Sequence, residues 1–456
     1  MSHAVKIPPY HHIWRYIYTF ILSILLPIIL LLSRKKLSQK TVSTNEQSDI
    51  LDERRFSERF GVLNQRATSV DILVHCVSVG ELNAASPLIA RLLVDYPDYK
   101  IMVTTTSVTG AIHAYGLFKQ KVQHHFLPID IPFFIGRFLK KVAPKLVCIT
   151  EVEIWPNLVN ACWENNIPIC LLNARMSDKS VPTYRRLSKL FRPTLRKFTY
   201  ICAQNQSSYD NFLSVGIYKS QLRLCHNMKF DISLDAADTD KGEVLAKHFA
   251  LTDKLVIVVA SSHDPEEKLL LSSYSSLQKK HPNLVLIVVP RHPHRFGDVY
   301  ELCSASGFIT EKLSDHVDDA GQVLKVSNAT PNILVLNAMG WLKAAYSVCN
   351  IAFIGGSFVE KGGHNALECA AYGKPMLMGP SIFNNPGICK QLSQSGALSI
   401  VENEEALTKQ CGLWLQCSDK AVSAGNAGKD VVTGNRGAVD ATLTLLHPLL
   451  GNFLRN

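Results

Sequence analysis

A glycine-rich stretch in the C-terminal half of the chain constrains its fold more than any other sequence feature. The apolar residues 351–354 indicate a short buried strand, and Gly355 and Gly356 end it in a tight turn. A second glycine pair at 362–363 precedes small and apolar residues that favour a packed helix ending at Gly373. Strand, glycine-rich loop and helix in this order indicate an α/β domain.

The loop has the features of a phosphate-binding site. It leaves free backbone N–H groups at a helix N-terminus, where the helix dipole favours a phosphate. Asn365 and Glu368 are three residues apart and therefore share one helix face, where they can bind a hydroxylated group such as a nucleotide ribose. The alternative is an ordinary α/β turn without a ligand. The added pattern Gly-Gly-His-Asn-x-x-Glu favours the nucleotide.

This segment resembles the donor-nucleotide loop of the 3-deoxy-D-manno-octulosonic acid (Kdo) transferases, which add Kdo from CMP-Kdo to lipid A precursors. The resemblance extends over nearly the whole chain. At this loop it implies that Asn365, Ala366, Leu367 and Glu368 bind the CMP part of the donor.

Length, charge and cysteine usage limit the possible classes of protein. A chain of 456 residues suits two domains of about 200 residues each. The net charge of +10 comes without zinc-finger spacing or an RNA-binding aromatic signature, so we expect no nucleic-acid partner. Anionic lipid or a phosphorylated substrate explains the charge better. Cysteines without a C-x-x-C pair, several inside apolar runs, indicate a reducing compartment and a cytosolic globular part.

The N-terminal segment predicts a hydrophobic membrane-anchor helix at residues 1–37. It is apolar from Tyr16 to Leu32, near the lower end of the roughly 17 to 25 residues that cross a bilayer. It can either span the membrane or lie shallowly in it. The basic residues 34–36 that follow place the body of the protein on the cytoplasmic face of the inner membrane.

Glu81 lies where an apolar strand pattern at residues 72–77 breaks at Gly80 and continues as a helix. Ligands of open α/β sheets bind in the crevice at such strand ends. The alternative is that Glu81 only complements the helix dipole. The pattern Ser-Val-Gly-Glu also occurs in the Kdo transferases, and this resemblance implies that Glu81 is the catalytic base.

Two further charged residues are assigned through the resemblance. Glu151 and Glu153 follow an apolar strand pattern at 146–150. A glycosidase pair or half of a metal site is unconvincing, because neighbouring residues point apart and no His or Asp ligand is near in sequence. The family pattern Glu-x-Glu-x-Trp-Pro-Asn implies that Glu151 supports the transition state. The pattern Asn-x-Lys-Phe-Asp implies that Lys229 neutralises charge on the leaving phosphate.

Two basic regions leave alternatives open. Residues 52–61 predict a charged, aromatic helix, which is either a solvated amphipathic helix or a basic platform for a phosphorylated lipid. The resemblance favours the platform. The arginines at 185, 186, 192 and 196 form either a solvated face or a site for acceptor phosphate.

The donor site is expected to include residues after two more strands. Pro290 and Arg291 end an apolar run, where an arginine is suited to the nucleotide phosphate or base. Met339, Gly340 and Trp341 occupy a loop at which the family has Met-Gly-Glu-Leu. Trp341 therefore departs from the family, and any contact of the missing acid is in doubt. Backbone contacts from the other two residues can persist.

The repeated alternation of strand and helix patterns predicts two doubly wound, Rossmann-like domains facing a cleft, the GT-B glycosyltransferase architecture. We expect an acceptor domain at residues 38–235, a linker at 236–250 and a donor domain at 251–456. The Asp-x-Asp at 238–240 lies in this linker and receives no role.

The predicted function is inverting transfer of Kdo from CMP-Kdo to a lipid A precursor, lipid IVA, in lipopolysaccharide core biosynthesis, with Glu81 as general base. No cofactor and no metal is expected, because basic side chains and helix N-termini can balance the phosphate charge. One alternative is a UDP-sugar transferase of the same fold. Another is a membrane-tethered protein that binds sugar nucleotides without turnover, against which the intact residues Glu81, Glu151 and Lys229 argue.

Overall fold

A computed structural model of the protein describes residues 10–38, 53–63, 68–318, 322–324 and 330–451. The chain forms two compact units. Unit 1 comprises Met1–Asp231 and Arg436–Asn456, and unit 2 comprises Ile232–Asn435. The chain therefore leaves unit 1 once and later returns to it.

The strands and helices follow one another along the whole described chain. The strands are β1 (Ile72–His75), β2 (Ile101–Thr105), β3 (Gln123–Phe126), β4 (Leu146–Thr150), β5 (Ile169–Ala174), β6 (Tyr200–Ala203), β7 (Leu222–Leu224), β8 (Leu255–Ser262), β9 (Leu284–Pro290), β10 (Thr310–Lys312), β11 (Ile333–Val335), β12 (Ile351–Ile354), β13 (Met376–Met378) and β14 (Leu398–Ile400). The helices are α1 (Tyr10–Ser38), α2 (Val79–Asp95), α3 (Val108–Phe118), α4 (Pro132–Val142), α5 (Pro156–Glu164), α6 (Val181–Arg186), α7 (Ser188–Leu195), α8 (Gln206–Ser214), α9 (Ala236–His248), α10 (Glu266–Gln278), α11 (Phe296–Ser304), α12 (Leu342–Val348), α13 (Leu367–Ala371), α14 (Pro386–Gln394), α15 (Glu404–Gln416), α16 (Ser418–Gly434) and α17 (Ala438–Gly451). The 3-10 helices are Glu53–Phe60, Lys119–Lys121, Met228–Phe230, Pro293–Arg295 and Leu313–Asp315.

Each unit contains a seven-stranded parallel sheet within the described residues. The strand order is β3-β2-β1-β4-β5-β6-β7 in unit 1 and β10-β11-β9-β8-β12-β13-β14 in unit 2. Strands β1, β4, β9 and β12 are buried along their whole length, as expected for parallel strands covered by helices on both faces. The order reverses between β1 and β4 in unit 1 and between β8 and β12 in unit 2. Such a switch point opens a crevice at the carboxyl ends of the strands.

The C-terminal helix α17 belongs to unit 1, which corrects the predicted donor domain of 251–456. Its apolar side chains Leu443 and Leu446 are buried in a core cluster with Leu88 of α2. The Asp231 carboxylate accepts a hydrogen bond from the Gly437 N–H at 2.7 Å. The apolar face of α17 therefore brings the chain back to unit 1 after unit 2 is complete.

The predicted linker at 236–250 is also corrected. It contains helix α9, which packs on α12 as the first element of unit 2. The approach is close, because a Cβ atom on Gly242 would lie 2.0 Å from the Ser347 Oγ atom. The segment is thus a packed helix. The predicted cleft between the two domains stays a prediction.

The predicted N-terminal helix is present as α1, and polar contacts attach it to unit 1. The Tyr18 hydroxyl donates to Asp130 Oδ2 at 3.1 Å. Arg15 Nη1 donates to Asn157 Oδ1 at 3.2 Å, and Asn157 Nδ2 donates to Thr19 Oγ1 at 2.9 Å. Asp130 is fully buried, and burial raises its pKa to about 6. This side of α1 is therefore a structural part of unit 1.

The remaining surface of α1 carries exposed apolar side chains. They are Ile13, Tyr16, Ile17, Phe20, Ile21, Ile24, Leu25, Ile28 and Leu31. Among the described residues, no helix has both the length and the apolar character needed to cross a membrane. This finding contradicts the alternative in which the helix spans the membrane, and the alternative in which it lies shallowly in the membrane stays a prediction.

We expect Tyr18→Phe to lower the free energy of unfolding by about 1 to 3 kcal/mol, because it removes a hydrogen bond to a buried carboxylate. Urea unfolding of the detergent-solubilised full chain measures the change. Tyr16→Phe is the matched control, since Tyr16 is 60% exposed on the same helix. Equal stabilities of the two variants would show that α1 is attached without the Asp130 contact.

Part of the charged segment at 52–61 makes structural contacts within unit 1. Glu58 is 1% exposed, and its carboxylate accepts a hydrogen bond from the Phe126 N–H at 2.7 Å. The Arg59 guanidinium lies over the Phe126 ring, 4.3 Å from its centroid. These contacts attach the segment to β3. Its role as a lipid platform stays a prediction.

The four arginines at 185, 186, 192 and 196 differ in their contacts. Arg192 Nε donates to the Val215 carbonyl oxygen at 2.9 Å, and Arg196 donates to the Gly216 carbonyl oxygen at 2.9 and 2.7 Å. The arginines at 185–186 are exposed. Two of the four therefore support a loop of unit 1, and the exposed pair remains open to an anionic ligand.

Candidate active site

Glu81 lies at the switch point of unit 1, as its position after a strand predicted. It is the third residue of α2, directly after β1, and it is 8% exposed. The N-cap residue Ser78 accepts a hydrogen bond from the Glu81 N–H at 3.4 Å. The glycine at position 80 and the Ser78 cap thus begin a helix that carries a carboxylate in its first turn.

The carboxyl group of Glu81 is held through one of its oxygens. The Val77 N–H donates to Oε2 at 2.9 Å, and the Thr150 hydroxyl donates to Oε2 at 3.0 Å. Oε1 is contacted by the Ser78 hydroxyl at 3.5 Å, the outer limit of a hydrogen bond. Oε1 is therefore the oxygen better able to accept a proton from another molecule.

Burial raises the pKa of Glu81 to about 7. The nearby carboxylates of Glu151 and Glu153 raise it further, while the hydrogen bonds from Val77 and Thr150 lower it. A general base works best when its pKa lies near the working pH. The environment of Glu81 therefore suits proton transfer at neutral pH.

Glu151 and Lys229 lie together in the same unit. Glu151 follows β4, on the other side of the switch point from Glu81, and its φ of +55° places it in the left-handed region. Lys229 Nζ lies 3.5 Å from Glu151 Oε1. The Asn227 side chain caps the Lys229 N–H at 3.0 Å and begins the 3-10 helix that carries the lysine. Unit 1 therefore brings together Glu81, Glu151 and Lys229.

Glu153 is closer to this group than its sequence spacing suggested. Burial and the charge of Glu151 both raise the pKa of Glu153. Within the ranges that the structure describes, no cluster of three or more His, Cys, Asp or Glu residues could hold a metal ion. The metal-free site expected from the sequence stays a prediction.

In unit 2, the glycine-rich loop follows β12 at the switch point as predicted, but its N–H groups have a partner within the protein. Glu266 of α10 is 1% exposed and accepts hydrogen bonds from the N–H groups of Gly356 at 2.8 Å, Ser357 at 3.0 Å and Phe358 at 2.9 Å. The His263 N–H also donates to Glu266, at 3.0 Å. The carboxylate thus occupies the place expected for a phosphate at this turn.

This arrangement corrects the prediction that the loop leaves its backbone N–H groups free for a phosphate. The loop is shaped for close packing, since a Cβ atom on Gly355 would lie 2.5 Å from the Ser261 carbonyl oxygen. The helix after the second glycine pair is also shorter than predicted. It is α13 (Leu367–Ala371), and residues 362–366 form an irregular approach to it.

Asn365 and Glu368 lie close together, although Asn365 precedes α13 and so does not share a helix face with Glu368 as predicted. Asn365 Nδ2 lies 3.4 Å from Glu368 Oε1, and Asn365 Oδ1 accepts a hydrogen bond from the Leu367 N–H at 3.2 Å. Burial raises the pKa of Glu368, while the positive charges of Lys343 and Arg291 oppose this effect. Arg291 is exposed. These polar groups form one cluster in unit 2.

Asp238 belongs to the same cluster, although the sequence suggested no role for it. Lys343 Nζ lies 3.3 Å from Asp238 Oδ2, and the Asp238 charge raises the pKa of Glu368. The packing of α9 on α12 brings the aspartate to this place.

The other predicted donor residues differ in accessibility. Met339 is 64% exposed, and Gly340 has a φ of +80°. Trp341 is fully buried at the start of α12, with Lys241 Nζ 5.0 Å from its ring centroid. Trp341 therefore replaces the family acid with a core side chain whose ring face is covered.

Three further donor residues can act only through their backbone. Ala366 and Leu367 are buried, so their side chains face the core. Pro290 is the last residue of β9 and is buried as well. Ligand contacts at these positions are expected from main-chain atoms.

A cluster of histidines lines the same switch point. His263 Nε2 lies 2.9 Å from His364 Nε2, and the two rings are nearly parallel. His263 and His292 lie with their ring centroids 5.3 Å apart. Burial, followed by neighbouring histidine and arginine charges, lowers the pKa of His364 to about 4. The His364 ring is therefore neutral at neutral pH. Burial also lowers the pKa of His263 and His292, and Arg291 supplies positive charge beside the three rings.

Asn365→Ala and Glu368→Ala are each expected to weaken CMP binding about 5- to 150-fold, because a ligand hydrogen bond contributes about 1 to 3 kcal/mol. Calorimetric titration with CMP measures this loss. Asn403→Ala is the matched control, since Asn403 caps α15 in the same unit. Parental affinity in both test variants would rule out the ribose assignment.

Comparison with known proteins identifies the family. The model of the family described as 3-deoxy-D-manno-octulosonic-acid transferase (kdotransferase) matches residues 54–232. The 3-deoxy-D-manno-octulosonic acid transferase of Haemophilus influenzae is 33% identical over 96% of this chain and 99% of its own length. The chain belongs to the Kdo transferase family. It is therefore a glycosyltransferase, and the resemblance noted in its motifs is confirmed.

Other comparisons agree with this family and fold. The Kdo transferase of Rickettsia felis is 31% identical over 74% of this chain and 70% of its own length. UDP-GlcNAc 2-epimerase from Neisseria meningitidis has a TM-score of 0.53 at 16% identity, covering 82% of this chain and 99% of its own. A glycosyltransferase from Rickettsia africae has a TM-score of 0.51 at 15% identity, covering 84% and 99%. At these identities the structural likeness concerns the fold alone, two parallel-sheet α/β units.

Sequence reasoning missed residues that shape the site of this Kdo transferase. Thr150, which bonds Glu81, is the last residue of β4, so its position at a strand end was an available signal. Glu266 lies at the start of a helix directly after β8, which was a comparable signal. Asp238 and Lys343 could not be found this way, because only the packing of two helices brings them to Glu368.

Proposed function

We propose that this Kdo transferase moves Kdo from CMP-Kdo to a lipid A precursor, lipid IVA, with inversion at the anomeric carbon and with Glu81 as general base. The observation that carries the proposal is the buried Glu81 carboxyl group at the switch point, with a pKa of about 7 and one oxygen free of strong hydrogen bonds. Family membership supports Kdo transfer.

The bond changes balance without any additional reactant. The acceptor hydroxyl oxygen forms a bond to the anomeric carbon of Kdo. The bond from that carbon to the phosphate oxygen breaks, and its electron pair leaves with CMP. The hydroxyl proton moves to Glu81 Oε1, the oxygen that Val77 and Thr150 leave open.

Lys229 and Glu151 are assigned to the charge that develops during this reaction. A compact ammonium group is suited to a phosphate oxygen, and Glu151 holds it from 3.5 Å. The same carboxylate raises the pKa of Glu81. We infer that a negative phosphate attracts Lys229 while Glu151 keeps the base at a pKa useful near neutrality.

The donor is assigned to unit 2. Asn365 and Glu368 offer amide and carboxylate groups to the ribose hydroxyls, and Arg291 offers a guanidinium group to the phosphate. Because Glu266 occupies the N–H groups of Gly356, Ser357 and Phe358, the phosphate relies on charged side chains and on main-chain atoms near Met339.

We also propose that the protein acts at the cytoplasmic face of the inner membrane, attached through α1. The exposed apolar residues of α1, including Phe20 and Ile24, favour burial in the boundary between lipid head groups and acyl chains. The basic residues 34–36 favour anionic lipid. Sedimentation with anionic and zwitterionic vesicles tests this attachment, and equal weak binding to both would argue against it.

The test of the reaction uses the purified full chain, lipid IVA and either CMP-Kdo or a UDP-sugar. We expect release of CMP that depends on lipid IVA, with a matching gain of Kdo mass on the lipid. Release of UDP would instead indicate a UDP-sugar transferase. Tight CMP binding without release of either nucleotide would indicate a binding protein without turnover.

A further inference from the structure

The Thr150 side chain connects the two sides of the switch point in unit 1. Thr150 is the last residue of β4 and is 1% exposed. Its Oγ1 atom lies 3.0 Å from Glu81 Oε2 and 3.0 Å from the carbonyl oxygen of His75. Both of these oxygen atoms are hydrogen-bond acceptors, whereas a threonine hydroxyl has one hydrogen to donate. The Cys76 thiol is a further hydrogen-bonding neighbour of the Thr150 side chain.

The single hydrogen makes this contact sensitive to the charge of Glu81. When Glu81 is ionised, its Oε2 is the stronger acceptor and takes the hydroxyl hydrogen in a charge-assisted bond. When the carboxyl group gains a proton on Oε1, the acceptor strength of Oε2 falls. The hydrogen of Thr150 can then turn to the His75 carbonyl oxygen.

We propose that Thr150 is a positioning residue that fixes Glu81 Oε2, directs the acceptor's proton to Oε1, and preferentially stabilises the ionised form of the base. This inference rests on the proposed role of Glu81. The Val77 N–H holds the same oxygen but belongs to the backbone. Thr150 is therefore the hydrogen-bond donor that a substitution can remove in order to change the protonation of Glu81.

Other charged and titratable groups also face this region. They are Cys76 directly after β1, Glu151 and Glu153 after β4, and Lys229 on the 3-10 helix packed on α2. The two carboxylates raise the pKa of Glu81, whereas the Thr150 bond lowers it. Burial raises the pKa of the Cys76 thiol, its hydrogen bond with Thr150 lowers it, and the net upward shift keeps the thiol neutral.

The test measures the protonation of Glu81 directly. The full-length protein is labelled with glutamate carrying carbon-13 in its carboxyl group and titrated by nuclear magnetic resonance, and Glu81→Gln assigns the signal. Thr150→Val removes the hydroxyl and keeps the shape, and we expect it to raise the titration midpoint by about one pH unit. Thr150→Ser keeps the hydroxyl and should restore the parental midpoint.

Two further variants test whether loss of any buried hydroxyl shifts the midpoint and provide a substitute if Thr150→Val does not fold. Thr194→Val is the matched control, because Thr194 is buried in α7 and donates to the Leu190 carbonyl oxygen at 2.8 Å. Its midpoint should equal that of the parent. Thr150→Cys keeps a weaker donor and should give a smaller upward shift, which decides the matter if Thr150→Val fails to fold.

Different results would contradict the role of Thr150 and the role of Glu81 as the base. An unchanged midpoint in Thr150→Val, or an equal shift in Thr194→Val, overturns the role of Thr150. A shifted midpoint supports it, together with kcat/KM that is about tenfold lower at acidic pH and parental at alkaline pH. If Glu81→Gln keeps parental turnover while Thr150→Val still shifts the midpoint, the base assignment fails and the Thr150 contact stands.

Discussion

Glu81→Gln should lower turnover by about 10² to 10⁴, the contribution of a positioned general base. Glutamine nearly matches the shape of glutamate but cannot take up a proton at neutral pH. Its amide oxygen can still accept the hydrogen bonds from the Val77 N–H and the Thr150 hydroxyl. The loss should therefore appear in kcat, measured as CMP release with saturating lipid IVA.

The controls for this variant test the fold and the donor site. CMP affinity should stay parental, because the residues assigned to the nucleotide lie in unit 2. Glu164→Gln makes the same chemical change at an exposed position of α5 and should keep full turnover. Turnover within a few-fold of the parent in a folded Glu81→Gln protein would remove Glu81 as the base and make Glu151 the next candidate.

The pH dependence of the parent enzyme provides a second check on Glu81. A base is active when ionised, and burial raises the pKa of this carboxyl group to about 7. The rate should therefore be present above pH 7, half-maximal near it, and fall about tenfold per pH unit below it. A rate that stays constant down to about pH 5 would contradict a buried base.

Glu266→Ala should give the largest loss of stability, about 3 kcal/mol or more in the free energy of unfolding. The substitution leaves three buried loop N–H groups, those of Gly356, Ser357 and Phe358, without their carboxylate partner. The His263 N–H loses its partner as well. Urea unfolding measures the loss, and CMP affinity should fall in parallel because the glycine-rich loop loses its support.

Two further variants, Glu266→Gln and Glu405→Ala, show whether the loss of stability comes from the missing hydrogen-bond acceptor or from removing any glutamate of unit 2. Glutamine keeps one acceptor oxygen but turns an NH2 group toward N–H donors, so its loss should be smaller than that of alanine and still measurable. Glu405 is exposed in the first turn of α15, and its replacement should change stability by less than about 0.5 kcal/mol. If Glu266→Ala were as stable as Glu405→Ala, the carboxylate would not support the loop.

A buried glutamate at the glycine-rich turn also changes how the donor site is understood. The Glu266 carboxyl group already accepts hydrogen bonds from the N–H groups of this turn, so we expect the charge of a bound phosphate to be balanced by groups such as Arg291. The neutral histidines beside it, including His364, contribute hydrogen-bonding atoms without charge at neutral pH. Under the proposed function, we therefore expect the donor specificity to come from side chains of several elements.

Much of the local structure followed from sequence pattern. The apolar run at 351–354 is strand β12, and the break at Gly80 places Glu81 in the first turn of α2. Strand ends in a doubly wound sheet meet at one edge, which is why Glu81 and Glu151 could be proposed for one site. Lys229 was assigned only through its family motif, and the structure brings it within 3.5 Å of Glu151.

Pairing between distant residues could not be predicted in the same way. Glu266 and the Gly356 N–H that it accepts from are 90 residues apart, and no local pattern couples them. The family motif placed Trp341 in the donor loop, but packing buries its side chain completely. The same holds for α17, whose apolar face did not reveal which of two sheets it would cover.

The amino-acid sequence by itself determined the family, the alternation of strands and helices, and the residues at the strand ends, because these depend on short-range periodicity and local motifs. The tertiary structure decided which polar groups became partners. It attached α1 to Asp130, closed the glycine-rich turn around Glu266, and placed Thr150 against Glu81. Each of these contacts satisfies a buried polar atom, and the partner that does so is chosen by packing across the fold.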